Sequence, residues 1–451
     1  GGPSRFEALL ALNAGRRLPD PDDAVGAADL RHWFRAQACR AYPGFAAFAT
    51  LSQQAWTAAD TTLELVGMAR SATGLGQNTA MSAAALSAAG IDFRLRDIED
   101  GFAPLPAPGG AEARPPSCRP RRKAMLLHLN ADQAPQALCH PLFDRHADLY
   151  AIGFFLWELE ALPGAHRLAL DLVDEIWCPS QFLADIYAAH TSRPVHCVGK
   201  AITLPAPRIP DRRRFGLDHT DFVFLTCFDF HSSVERKNPL AAVEAFQRAF
   251  PRTPGAARPG ASRGRRGAAA APQPRLVIKT TPPVDGHWGD PHGMWRRIEA
   301  VAATDPRIVI VTDHLPFAEF VGMIAMADAL VSTHRAEGFG YLPAFALALA
   351  RPVLATDYGG TRDFLRVDTG FPIAWTPRDI APGETILPVP GAFWADIDRD
   401  ALAAAMTALI ERPEEGRRRA LEGRRLIDRA YAPSALAARY RERLHAAGII
   451  A

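Results

Sequence analysis

The segment from His334 to Gly360 constrains this chain more than any other. His334-Arg-Ala-Glu-Gly-Phe-Gly-Tyr-Leu-Pro-Ala-Phe345 runs directly into Ala346-Leu-Ala-Leu-Ala-Arg-Pro-Val-Leu-Ala-Thr-Asp-Tyr-Gly-Gly360. It reads as a strand end, a glycine-bearing turn, a helix and a new strand, the alternation of a parallel sheet. Glu337 stands where strand gives way to helix, beside Gly338 and Gly340. Backbone amides at such a place face open space, and the helix dipole favours an anion there. An acid among exposed amides suggests a nucleotide-sugar site.

The same alternation runs through both halves. In the first, Thr62-Leu-Glu-Leu-Val-Gly67 reads as a strand, Gly74-Leu-Gly76 as a turn, Asn78–Ala89 as a helix and Phe93-Arg-Leu-Arg96 as the next strand. Residues 101–121, rich in Pro and Gly, read as a loop. Strands follow at Ala124–Leu129, Tyr150–Phe155, Glu175–Cys178 and Val195–Val198, with Ser180 as the N-cap of an intervening helix. Pro205, Pro207 and Pro210 mark a break. The second half restarts with strand Phe222–Thr226 and a helix from Pro239 to Phe250. Its further strands are Arg275–Lys279, Arg307–Val311, Ala329–Ser332 and Pro352–Ala355. The expected fold class is α/β, with two Rossmann-like domains facing a cleft and an N-terminal helical extension. The boundaries we read are 1–60 for the extension, anchored by Trp33, Phe34, Phe45, Phe48 and Trp56, then 61–205 and 206–428 for the two domains. Residues 429–451 form a closing helical segment.

With 451 residues the chain is too long for one ordinary domain. A net charge of +2 gives no overall bias toward nucleic acid, which is not an expected partner. Six scattered cysteines without Cys-x-x-Cys spacing fit a reducing cytosol, so a cytoplasmic location is expected. No signal peptide is read at the start. No apolar run approaches the roughly 18 residues that span a bilayer. The chain begins Gly-Gly-Pro-Ser without Met, which leaves room for an upstream segment. Residues 251–275 hold Pro, Ala, Gly and Arg with no acid and read as a disordered insertion. A solvated loop is the simpler reading of it; peripheral contact with anionic lipid at the inner face of the membrane is the alternative. Nothing in the sequence sets the oligomeric state.

Three further groups of residues can carry chemistry. Gly74 and Gly76 allow close approach of a phosphate or sugar, although a plain tight turn is the commoner use of such a pair. Arg236 and Lys237 follow the first strand of the second half and stand before the helix that starts near Pro239. Cations at a helix head are unfavourable unless an anion such as a diphosphate sits there; the bland alternative is a solvated pair on a loop. His128-Leu-Asn-Ala-Asp132 and the pair Trp157-Glu158 end strands of the first half. His128 is as readily a buried, satisfied core histidine as a sugar ligand, and Trp157 is better read as packing. No Gly-x-Ser-x-Gly elbow, Walker A loop or His-Glu-x-x-His is present. A metal-independent reaction is preferred, with no metal and no cofactor expected; cations and helix termini would stabilise a leaving diphosphate.

Taken in order, Gly74-Leu-Gly76, Asp174-Glu-Ile-Trp-Cys-Pro-Ser180, Arg236-Lys-Asn-Pro239 and the 334–360 segment resemble a bacterial family-four retaining glycosyltransferase of GT-B fold. The resemblance covers about residues 62–445. It implies a hexosyltransferase-like transfer from a UDP- or GDP-linked sugar to a glycan or lipid-linked acceptor in polysaccharide biosynthesis. The second domain would hold the donor and the first mainly the acceptor, and the closing helix would cross back to the first. Lys237, helped by Arg236, would neutralise the diphosphate, and Glu337 would lie against the donor sugar. The amides of Phe339, Gly340, Tyr341 and Leu342 would face sugar and phosphate. Gly76 would approach the diphosphate, and His128 would stand near the reacting sugar. The chain departs from the family in two places. Asp229 and His231 occupy the loop where an Arg is usual. Phe345 replaces the second glutamate, whose charge-assisted bond to ribose is worth roughly 1.5–3 kcal/mol. Phe345 would then pack on ribose or base, or the chain would be a catalytically weak nucleotide- or sugar-binding module of a larger synthase. A nucleotide-sugar epimerase on the same fold is a third reading.

Overall fold

A computed structural model describes residues 11–12, 14–19, 23–33, 36, 62–71, 74–99, 103–105, 115–138, 149–230, 232–252, 272–281, 290, 292–385, 387 and 389–451. The chain divides into two units. The first takes residues up to Trp157, Leu162–Thr203 and Tyr431–Ala451; the second takes Glu158–Ala161 and Leu204–Ala430. Of the N-terminal extension, Ala24–Trp33 is helical; Phe34, Phe45, Phe48 and Trp56 lie outside the described residues, as do 253–271 of the insertion and His231.

The first unit is built on seven strands. They are β1 (Leu63–Gly67), β2 (Arg94–Asp97), β3 (Ala103–Leu105), β4 (Ala124–His128), β5 (Tyr150–Phe154), β6 (Glu175–Cys178) and β7 (Val195–Cys197). Their order in the sheet is β3-β2-β1-β4-β5-β6-β7, parallel except for β3 against β2. Runs such as Ala124-Met-Leu-Leu-His128 are buried throughout because helices cover both faces. The helix Pro433–Ala446 belongs to this unit, where the Tyr440 hydroxyl lies 2.8 Å from Ser82 Oγ and Arg443 pairs with Glu175.

The second unit has β8 (Phe222–Cys227), β9 (Pro274–Lys279), β10 (Ile308–Val311), β11 (Ala329–Ser332), β12 (Val353–Thr356) and β13 (Phe371–Ile373), all parallel, in the order β10-β9-β8-β11-β12-β13. Phe224 of β8 and Phe246 of the helix Pro239–Ala249 are fully buried in its core with Ile298, Leu402 and Met406. Each such side chain contributes about 1.5–3 kcal/mol by leaving water. A separate antiparallel hairpin pairs β14 (Trp375–Asp379) with β15 (Phe393–Ile397).

In both sheets the chain builds outward on one side, then returns to the middle and builds outward on the other. The reversal falls between β1 and β4 in the first unit and between β8 and β11 in the second. Open α/β sheets bind ligands at the carboxyl ends of strands at such a reversal. Three readings of the sequence need correction. Residues 101–121 are not all loop, since Ala103–Leu105 is a strand. Gly74 and Gly76 form the first turn of a helix, Gly74–Ala88, and not a turn before it. β5 ends at Phe154, so Trp157 and Glu158 lie beyond the strand.

Candidate functional site

In the second unit the reversal point gathers the charged residues. After β8, the Ser233 side chain accepts from the Arg236 amide and caps a single helical turn, Val234–Lys237. Asn238 then adopts a left-handed conformation (φ 51°), which Asn tolerates better than most residues, and Pro239 opens the next helix. Arg236 and Lys237 therefore occupy the last turn of one helix, where the dipole favours cations, and not the head of the next. After β11, residues 333–340 lead to the helix Tyr341–Ala348, preceded by Gly340 at φ 94°. The two loops meet through charge. Lys237 Nζ donates to Glu337 Oε2 at 2.6 Å, and Arg236 Nη1 lies 3.6 Å from the same oxygen. Arg236 also donates to Ala336 O at 3.1 Å and to Ser232 Oγ at 2.6 Å.

Buried bonds hold this pair of loops. The Arg335 guanidinium donates to Glu235 Oε2 at 2.7 Å and to Asp396 Oδ1 at 2.8 Å, and its backbone N–H donates to Arg236 O at 2.7 Å. Thr333 Oγ1 donates to Asn238 O at 2.7 Å. Behind Glu337, the Gly360 amide donates to the Glu337 carbonyl at 2.8 Å. A Cβ on Gly360 would stand 2.1 Å from Gly338 O and 2.9 Å from Phe339 Cα, so only glycine lets the two backbones meet. Gly360→Ala should therefore cost about 1–3 kcal/mol by overpacking, read as a lower urea midpoint; an unchanged midpoint would refute the contact.

The charges are strongly perturbed. Burial alone would raise the Glu337 carboxyl, but Lys237 and then Arg236 outweigh it and hold its pKa at about 2. Burial likewise opposes the charge of Arg236, yet Glu158, Glu337 and Asp229 raise its pKa above the ordinary value. His334 is buried, with Nδ1 3.0 Å from Ser332 Oγ and Nε2 3.2 Å from Tyr358 O; burial lowers its pKa to about 4 despite Glu337. An unfolded His takes up its proton near 6.5, before the folded one does. The stability that neutral His334 carries is thus full above that pH and is lost as pH falls through about 4. The Glu337 share is full above about 4.5 and lost as pH falls through about 2. We expect the second unit to lose about 2 kcal/mol between pH 7 and pH 5 from His334. Urea titrations at the two pH values check this, and an unchanged midpoint in a His334→Asn-sensitive assay would contradict it.

Of the residues picked from the sequence, the structure brings Arg236, Lys237 and Glu337 into contact. Gly338, Phe339, Gly340, Tyr341 and Leu342 follow in the same loop and helix start. Phe345 is buried, its ring 5.7 Å from Tyr341 and 6.0 Å from Phe317. In the first unit His128 ends β4 in register with Gly67 of β1. Its Nδ1 lies 2.8 Å from Asn78 Nδ2, its ring stacks on Phe154, and its Nε2 is buried without a partner among the described residues. Burial, then Lys200, holds the His128 pKa well below the usual range. A Cβ on Gly76 would meet Ser71 O at 1.9 Å, so local backbone packing already requires glycine there.

Sequence reading named Glu158 beside Trp157 and quoted His334, Arg335 and Gly360 within the 334–360 segment but gave none of the four a role; the partners of Glu158 and Arg335 are remote in the chain. It also passed over Asp396-Ile-Asp398; Asp396 pairs with Arg335 and Arg399, and Asp398 caps the helix Arg399–Glu411. The fold further brings Glu235, His292 and Glu384 within 4.8 Å of one another. Both carboxylates are already engaged, Glu235 by Arg335 and Glu384 by Arg378 at 3.0 Å and the Trp394 N–H at 2.8 Å. Among the described residues no helix is long and apolar enough to cross a membrane.

No family model matches this chain, and no curated protein matches it by sequence. Solved structures do. Anabaena HepE in complex with UDP and glucose superposes with a TM-score of 0.58 at 12% identity, over 86% of this chain and 100% of that one. Sucrose-phosphate synthase from Thermosynechococcus elongatus gives 0.50 at 16% identity, over 72% and 74%. S. aureus TarM gives 0.48 at 11% identity, over 71% of this chain and 54% of TarM, so the chain spans about half of that protein's length. The HepE and sucrose-phosphate synthase superpositions show that the chain has the GT-B fold of two Rossmann-like domains, and its structural neighbours are glycosyltransferases of that fold.

Proposed function

We propose that this chain is a glycosyltransferase that moves a sugar from a nucleoside-diphosphate donor to a hydroxyl of a glycan or lipid-linked acceptor, with retention at the anomeric carbon. The observation that carries the reading is the Lys237–Glu337–Arg236 cluster at the reversal point of the second sheet. Lys237, hydrogen-bonded to the Glu337 carboxylate, and Arg236, a Coulomb neighbour of it at 3.6 Å, are poised to exchange it for a diphosphate. In the reaction the bond from the sugar's C1 to the diphosphate oxygen breaks, a bond from C1 to the acceptor oxygen forms, and the acceptor hydroxyl's proton passes to the leaving diphosphate oxygen. The negative charge grows on the leaving diphosphate, where Lys237 and Arg236 stabilise it. Glu337, freed from them, accepts hydrogen bonds from the sugar. The amides from Phe339 to Leu342 complete the phosphate and sugar contacts at the helix start. HepE bound to UDP and glucose supports a uridine donor, with a guanosine donor as the alternative.

One observation favours a second reading. Phe345 is packed against Tyr341 and Phe317, so no carboxylate stands at that place to receive a ribose. A weak module that binds nucleotide without turning it over fits this. A screen of UDP- and GDP-sugars for binding and for hydrolysis or transfer separates the two. Turnover of one donor supports the transferase, binding alone supports the module, and absence of both defeats each.

A further inference from the structure

The segment Glu158–Ala161 comes from the first half of the chain but is part of the second unit. Glu160 anchors it. Its Oε2 accepts the Tyr358 hydroxyl at 2.7 Å, and its Oε1 accepts the Phe393 amide at 2.9 Å. Tyr358 is itself fixed, buried at 6% exposure and bonded through its carbonyl to His334, and Phe393 stacks on Trp375. Two residues earlier, Glu158 Oε1 lies 3.6 Å from Arg236 Nη2, while Arg236 Nη1 lies 3.6 Å from Glu337 Oε2. One guanidinium thus stands between two carboxylates.

Glu158 does not serve to position Arg236. At 3.6 Å the contact is a Coulomb pair outside hydrogen-bond range, and Ser232 Oγ and Ala336 O already orient the guanidinium. Nor is the Glu158 carboxylate used elsewhere: among the described residues it makes no hydrogen bond, and its side chain is 34% exposed. A negative charge beside a diphosphate-binding cation weakens anion binding. What it offers is acceptor lone pairs, which the hydroxyls of a sugar attached to that diphosphate can fill. We propose that Glu158 binds hydroxyls of the donor sugar and, with Glu337 on the other side of Arg236, sets which sugar the second unit accepts.

This inference rests on the donor reading above, and calorimetry separates their failures. The parent, Glu158→Gln and Glu158→Ala are titrated with UDP and GDP, and with UDP-glucose, UDP-N-acetylglucosamine and GDP-mannose. For the sugar nucleotide the parent binds best, Glu158→Gln should lose about tenfold or more in affinity, while the matching bare nucleotide binds as well as before or more tightly. A sugar-to-nucleotide affinity ratio equal to the parent's, with both affinities unchanged or falling together, overturns the role of Glu158 and leaves the donor reading standing. A parent that binds none of the five probes overturns the donor reading and this inference with it. Thermal unfolding of the variants within a few degrees of the parent establishes that they are folded, as expected for a partly exposed side chain.

Discussion

Glu337→Gln is expected to reduce sugar transfer by about 10²–10³-fold while preserving or raising affinity for UDP or GDP. The two effects have opposite signs because Glu337 has two partners in turn. Without ligand its carboxylate sits 2.6 Å from Lys237 Nζ and 3.6 Å from Arg236 Nη1 and competes with any anion for both. At an effective dielectric near 20, a unit charge pair at 4 Å is worth about 4 kcal/mol before desolvation, so removing the competitor helps a diphosphate. On the proposed reading the carboxylate orients the sugar once the donor is bound, and Gln cannot replace its charge. Transfer assays and calorimetry on one preparation check both halves. Transfer that survives the substitution would remove Glu337 from the reaction, and a large loss of nucleotide affinity would show that it buttresses the phosphate site instead.

Arg335→Leu should be the most damaging change to stability, at about 3–5 kcal/mol. Arg335 is 6% exposed and satisfies Glu235, itself 5% exposed, together with Asp396. Its removal strands carboxylates that nothing else fully neutralises, since Arg378 reaches Glu235 only at 4.0 Å and Arg399 holds the other oxygen of Asp396. A unit of this size loses about 2–4 °C of melting temperature per kcal/mol, so a fall of about 10 °C is expected. Arg424→Ala, which removes an exposed helical pair with Asp428 at 3.5 Å, serves as the control and should change stability by less than about 1 kcal/mol. Equal effects of the two substitutions would show that the Arg335 network carries no special weight.

The parts of the fold legible in the sequence are those whose signal is local. Phe222–Cys227, Pro274–Lys279 and Val353–Thr356 are apolar runs bounded by turn residues, and they are strands. β3 and β14 were not legible because Ala103-Pro-Leu105 and Trp375-Thr-Pro-Arg-Asp379 carry proline or charge, which suits short antiparallel pieces and hides them from a pattern search. The single turn Val234–Lys237 was masked by Pro239, whose start signal made the cations look like the head of the next helix. In the site, Lys237 and Glu337 could be picked singly because each follows a strand, but their contact spans a hundred residues. The same distance hides Arg335 with Glu235, and the link from Glu160 to Phe393 is longer still.

The central claim is that the second unit holds a nucleoside diphosphate on Lys237 and Arg236. Isothermal titration of UDP and GDP into the parent and into Lys237→Ala tests it most directly. We predict that one of the two nucleotides binds the parent and that Lys237→Ala weakens it by about ten- to a hundredfold, the worth of one charge-assisted bond, with a loss that grows smaller as salt is raised. Equal nucleotide affinity in parent and variant would contradict the account.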